Sequence, residues 1–283
     1  MTVALIGVGA DDSNSNPYPT VYDDGSFEYI PIPEAHPTIE NRTYGTIARD
    51  HNGGSLSRAR ESDTTLADVL EYIRPTGDSG ETYMGDHLSN HPLHYDPNFS
   101  ALTYGEVKSR NKNQIRYLNP EADDILAFYT GLTHQGSTKP HRYIIGYFTV
   151  NKIIDFSDYL GEQPPQNDDG RVIVDDLPAS IREQLEEKLA AHSANAHVKR
   201  YKANGTIDAG LIIVDGKEPG GLMKKAHRIS QSVPGGHGFT HQFEKEFNVQ
   251  TTKKGRDTGW LGGFKKAHRL GISGSDFVKM VSN

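Results

Sequence analysis

DDILAFYTGLTHQGSTKPHRYIIGYFTVNKIIDF, residues 123–156, is the stretch on which the fold class turns. DILAFYT (124–130) and RYIIGYFTV (142–150) are dense in β-branched and aromatic residues, and Gly, Ser, Thr and Pro punctuate the gap between them. Apolar runs bounded by turn signals in this way read as strands. Working outward, VALIG (3–7), FEYIPI (27–32), RVIV (171–174) and GLIIV (210–214) have the same character. Helices are fewer. TTLADVLEYIR (64–74) predicts one, with Ser62 or Asp63 as N-cap and Pro75 as its end. Val107, Ile115 and Leu118 at helical spacing, followed by Pro120, predict another over Tyr104–Leu118. A third runs from Ala179 to His192 behind Pro178, and SGSDFVKMV suggests a short closing helix. The class is α+β: a mixed sheet or small barrel with three or four flanking helices.

The chain of 283 residues, 35% hydrophobic and 24% charged, can bury a substantial core. It reads as one domain over 1–283, with GEQPPQNDDG (161–170) as a candidate seam ahead of a C-terminal subregion, 171–283. No apolar run approaches the roughly 20 residues that cross a bilayer. The N-terminus lacks the basic region of a signal peptide, so a cytoplasmic location and no membrane partner are expected. The absence of cysteine excludes disulfides, thiolate nucleophiles and Cys-based zinc sites. The net charge of −7 is unevenly spread: residues 1–190 carry 30 acidic and 15 basic side chains, and residues 191–283 carry 7 and 15. A polyanion partner needs only one basic face, although uneven charge is also common on plain solvated surfaces.

Two motifs fail on inspection. GVGADD after the first strand lacks the third glycine of a dinucleotide loop, because Asp12 stands there. Asp12, Asn14 and Asn16 begin like a calcium-binding loop, but Pro17 occupies the position that needs glycine. Three polar constellations remain. Asp11, Asp12 and Ser13 follow the first strand as candidate acid–base groups or metal ligands, whereas Asp24–Gly25 reads as a tight turn. In HPLHYDPNF, His94 and Asp96 are two residues apart and face the same way in an extended chain. An imidazole beside a carboxylate can exchange protons or hold a metal; the plain alternative is an Asp-Pro turn beside a surface histidine. The third constellation is basic. NAHVKRYK, GGLMKKAHRIS and GGFKKAHRLGISGS place Asn195, His197, Lys199, Arg200, Lys224, Lys225 and Arg228 near glycines, and Arg110 joins them as a candidate phosphate contact. KKAHR occurs at both 224–228 and 265–269. Tyr201, Phe239, Phe243, Trp260 and Phe264 lie close by, as base-stacking rings or as core residues.

These residues also carry a likeness. Gly9, Asp11 and Ser13, then Asp24–Gly25, then Ile30-Pro31-Ile32-Pro33, resemble the nucleotide modification associated domain 3 family. His94-Tyr95-Asp96-Pro97, Gly105–Glu106 and the 123–156 segment extend the resemblance over most of residues 1–155; beyond it, the likeness rests on NAH at 195–197 and on GGLMKKA. Asn98 stands where an acid is expected and Glu106 where a glutamine is expected. The resemblance implies a nucleotide or nucleic acid as partner, association with base modification, and other proteins of a modification pathway as further partners. The strands of 123–156 are also similar to those of PUA-like barrels that hold a base. Three functions follow as expectations: an enzyme acting on a base or nucleotide, a non-catalytic reader of modified bases, or a metal-dependent phosphoester hydrolase. A divalent metal is open as cofactor.

Overall fold

The computed structural model describes residues 2–11, 14–49, 65–75, 81–161, 164–233, 236–239 and 267–282. Asp12, Ser13, Ser62, Asp63, Phe243, Trp260, Phe264 and Lys265 lie outside them. The fold is α+β, organised on a curled mixed sheet. Its strands are β1 (Val3–Gly7), β2 (Thr20–Val21), β3 (Thr103–Glu106), β4 (Ile125–His134), β5 (Pro140–Asp155), β6 (Ile212–Arg228) and β7 (His268–Leu270). The order is β7-β1-β4-β5-β6-β3, with β2 beside the far end of β4. β1 and β2 run parallel to β4, and the other pairings are antiparallel.

The segment 123–156 forms the centre of this sheet as β4 and β5, paired from Ile125↔Thr149 to Thr133↔Pro140. Alternation explains its uniform apolarity. Leu126 and Phe128 join Ala4 and Ile6 in the core on one face, while Ile125, Ala127 and Tyr129 join Val3 and Leu5 on the other. A strand buried on both faces has no polar side to show. Helix α4 (Gly274–Val281), capped by Ser273, covers the second face with Phe277. The other larger helices are α1 (Ser109–Ile115), α2 (Ala179–Ala191) and α3 (Ala196–Asn204).

Three local readings change. TTLADVLEYIR is helical only over Leu66–Val69, begun by a capping box of Thr65 and Asp68. Tyr72–Ile73 then pairs as a strand with Ser15–Asn16. Leu66, Val69, Leu70 and Ile73 are all buried, so a helical spacing of apolar residues arose from burial of a turn followed by a strand. In the segment predicted as a helix over 104–118, Tyr104 and Gly105 belong instead to edge strand β3, facing Val214 and Ile213, and α1 starts at Ser109. FEYIPI is largely unpaired loop: Phe27 bridges Val21, and Ile32–Pro33 pairs with Leu93–His94. Asp24–Gly25 does form a turn, with Gly25 at φ +87° and the Tyr22 N–H donating to the Ser26 carbonyl at 2.9 Å. A left-handed φ of this kind suits glycine.

Candidate active site

A cleft of about 230 Å3 opens where the end of β1, strand β3, the start of α1 and helix α3 meet. Gly7, Val8 and Gly9 form one wall; His94, Asp96, Gly105, Glu106, His197 and Arg200 supply most of its polar lining. Each group arrives by a local device. The Ile32↔His94 pairing sets Glu34 against His94, with the Glu34 N–H donating to the Pro92 carbonyl. The Asp96 N–H donates to the His94 carbonyl at 2.9 Å, so a three-residue turn, not an extended chain, brings both side chains into the cleft. Asn195 caps α3 by accepting from the His197 N–H at 3.0 Å. His197 and Arg200, three residues apart, then share one helical face. Gly105 donates its N–H to Asp96 Oδ2 at 2.8 Å and packs so closely on His197 and Asp96 that a Cβ there would collide with both.

The charges are interlocked. Glu34 Oε1 accepts from Arg200 Nε at 2.6 Å and from the His36 N–H at 3.0 Å, and Oε2 lies 2.9 Å from His94 Nδ1. Burial opposes ionisation of Glu34, but the hydrogen bond from His94 and the Arg200 guanidinium outweigh it and hold the carboxyl at about 2. An ionised carboxylate only accepts, so the Glu34 contact selects the tautomer with the proton on His94 Nδ1 and the lone pair on Nε2. Burial, then the Arg200 guanidinium with Nη2 3.1 Å from Nδ1, pushes the His94 imidazole down to about 4 and keeps it neutral. Asp208 repeats the arrangement with His197, whose Nδ1 lies 2.9 Å away. Burial works against its charge, yet the His197 hydrogen bond and the Arg171 and Arg200 guanidiniums hold Asp208 well below the carboxylate range. Asp96 goes the opposite way. Burial, reinforced by neighbouring Glu106, pushes its carboxyl well above the usual value despite the Gly105 N–H. His197 Nε2 is 3.6 Å from Asp96 Oδ2, and Asp96 Oδ1 is buried without a hydrogen-bond partner.

Glu106 and Asn98, where a glutamine and an acid are expected, have structural duties. Glu106 accepts from Tyr104 Oη, Asn111 Nδ2 and the N–H groups of Val107 and Lys108, at 2.6–2.9 Å, and so fixes the entry to α1. Asn98 accepts from Ser100 Oγ and the Ala101 N–H and donates to the Ala194 carbonyl, clasping the loop before β3 to the loop before α3.

The structure thus brings His94, Asp96, His197 and Arg200 together, with Asn195 directly behind them. Asp11 is elsewhere: it is buried beside Arg142 of β5, with Oδ2 3.7 Å from Nη1, and is not part of the cleft lining. Lys199 donates to Glu40 at 2.6 Å. Arg110, Lys224, Lys225 and Arg228 are exposed; Lys224, Lys225 and Arg228 lie on β6, and Arg228 Nε donates to the Ser230 carbonyl. Sequence reasoning missed Glu34, Tyr104, Gly105, Asn111 and Asp208. Glu34 directly follows the Ile-Pro-Ile-Pro signature and had that signal; Asp208 stands in a plain TID and had none.

His94, Asp96 and His197 each offer a ligand atom, and these atoms lie within 4.8 Å of one another. The arrangement can move protons or hold a cation. No described helix is long and apolar enough to cross a membrane. No curated protein and no solved structure matches the chain. Residues 2–278 match the nucleotide modification associated domain 3 family, and the chain belongs to that family.

Proposed function

We propose that the protein is an enzyme that acts on a nucleotide or a nucleic-acid base, with His94, Asp96 and His197 facing the reacting atoms. One observation carries the reading: His94 and Asp96 from one turn and His197 from α3 converge in a single cleft, with the proton affinities of His94 and Asp96 displaced in opposite directions. A neutral imidazole can take a proton and a protonated carboxyl can give one, and such divergent pairs are typical of catalytic sites. At about 230 Å3 the cleft is smaller than the roughly 300–1,000 Å3 of sites for drug-sized ligands, which suits a base or one nucleotide fragment. Membership of a family named for nucleotide modification supports the substrate class. Lys108, exposed at the mouth, is placed to meet a phosphate; Arg110, Lys224, Lys225 and Arg228 would extend phosphate contacts along a nucleic-acid strand. A reader of modified bases would gain most from an aromatic cage, and Tyr104 is the one phenol or phenyl ring among the described lining residues.

The test compares nucleosides of DNA and tRNA from cells with the gene, without it, and with His94→Ala or His197→Ala in its place. The reading expects a modified nucleoside that disappears in the deletion and in both variants. Unchanged nucleosides throughout, with base binding retained by His94→Ala, would overturn it in favour of a reader.

A further inference from the structure

We propose that the cleft is a transition-metal centre, in which His94 Nε2, His197 Nε2 and the Asp96 carboxylate bind one divalent first-row ion. The inference deepens the enzymatic reading of the same cleft but stands on its own geometry; with an ion bound, Asp96 is an ionised ligand and His94 a ligand imidazole, in place of the proton donor and acceptor of the metal-free cleft. Two imidazoles and one carboxylate form the three-ligand set of catalytic metal sites, which keep further positions open for water or substrate. Imidazole ligands select zinc, iron, copper or nickel over magnesium or calcium.

Three independent features point to an ion. Both histidines direct Nδ1 at a carboxylate, Glu34 for His94 and Asp208 for His197, each at 2.9 Å. Metal-binding histidines are oriented in this way, the outer carboxylate fixing the tautomer and leaving Nε2 for the ion. Proton exchange by one imidazole would need one such pair; here there are two, both with a ring nitrogen within 4.8 Å of one carboxyl. The second feature is Asp96 Oδ1, a carboxylate oxygen on a side chain only 2% exposed that accepts no hydrogen bond. A buried acceptor left open in this way calls for a water or an ion. The third is charge. Glu34, Asp96, Glu106 and Asp208 are four buried or nearly buried acids, and the cations that their ion pairs engage are the guanidiniums of Arg200 and Arg171. With Asp96 ionised as a ligand, a divalent ion balances the remainder. In a tetrahedral set, ligand atoms with bonds near 2.1 Å stand about 3.4 Å apart, so atoms within 4.8 Å of one another must draw together by side-chain rotation to close on an ion.

The full-length protein, stripped with a chelator and dialysed separately against Zn2+, Co2+, Mn2+ and anaerobic Fe2+, is assayed for bound metal by mass spectrometry. One retained equivalent of at least one ion is expected, with X-ray absorption of the loaded wild type showing two imidazoles at about 2.0–2.1 Å. Asp96→Asn and His197→Ala should abolish stoichiometric retention. Glu34→Gln and Asp208→Asn should weaken affinity by about 10–100-fold, as loss of an orienting partner does. His134→Ala, at an exposed histidine whose ring meets Asp23 and the Gln135 carbonyl, should retain the full equivalent. Absence of any retained equivalent in the wild type, or absorption spectra lacking imidazole, overturns the inference, and neither depends on a variant folding. Base binding by the stripped protein is measured in parallel. Retained metal without base binding or nucleoside change would sink the enzymatic reading alone; base binding without metal would sink the metal alone.

Discussion

Two buried charge clusters meet the chain within a few residues of the end of β1. Asp11 pairs with Arg142 inside the fold, while the cleft bordered by Gly7–Gly9 gathers Glu34, His94, Asp96, His197, Arg200 and Asp208. The first is buried between the end of β1 and β5, away from the cleft lining. The second is open to a cleft and leaves one carboxyl in conflict with its surroundings. Burial of charge is costly in both, so the difference lies in what the cost secures. A pair sealed in the fold holds elements in register; a cluster that lines a cleft can hold reactivity.

The same substitution in each place breaks or confirms that contrast. Asp11→Asn leaves the Arg142 guanidinium facing a neutral amide, and removal of one partner of a buried pair costs about 3–5 kcal/mol. Chemical denaturation should show that loss, with ligand and metal binding per folded molecule unchanged. In the chelator-stripped protein, Asp96→Asn should shift stability by no more than about 1 kcal/mol, because the metal-free carboxyl is already disposed to carry a proton. Its metal retention and nucleoside product should vanish. Reversal of the two outcomes would remove the distinction between a structural and a functional cluster.

Gly105→Ala sharpens it next. The added Cβ would meet Asp96 Oδ2 at 2.9 Å as well as the His197 ring, and overpacking of this kind costs about 1–3 kcal/mol. The displacement falls on two ligands at once, so binding at the cleft should drop much further than stability does. Asn195→Ala is smaller again. Loss of an N-cap costs about 1 kcal/mol, and the first turn that it holds is the one bearing His197. Calorimetry should find a modest stability loss together with weakened metal affinity.

The sheet was legible because its signal is local: 123–156 alternates between two apolar cores, and no other element explains that density of Ile, Tyr and Phe. The site was legible only in fragments. His94 and Asp96 announced themselves by spacing, and His197 with Arg200 by the NAHVKR run, yet nothing in the chain says that these meet. Their meeting depends on the Ile32↔His94 bridge and on the Asn98 clasp between residues nearly a hundred apart. Asp11 misled for a related reason: an acid at a strand end looks the same whether it faces a cleft or Arg142. The helix expected over 104–118 failed where Glu106 caps the backbone and sends Tyr104 and Gly105 into β3.

The smallest expected effect concerns the scaffold behind the cleft. Glu40 accepts from Arg42 Nη2 at 2.7 Å and Lys199 Nζ at 2.6 Å, and the Ile39 N–H donates to the Lys199 carbonyl, so this loop is tied to α3. Burial opposes its charge, but the hydrogen bonds from Arg42 and Lys199 hold the carboxyl at about 2, against 4.5 for a free glutamate. A folded-state value below the unfolded one means that this stabilisation is complete above about pH 4.5 and is lost as pH falls toward 2. Arg42 keeps some exposure, so the contribution stays near 1 kcal/mol. Glu40→Gln should therefore lower stability slightly at neutral pH and converge on the wild type near pH 2. A gap that widened with acid would show that Glu40 answers to charges other than Arg42 and Lys199, and that α3 is held to the loop by another contact.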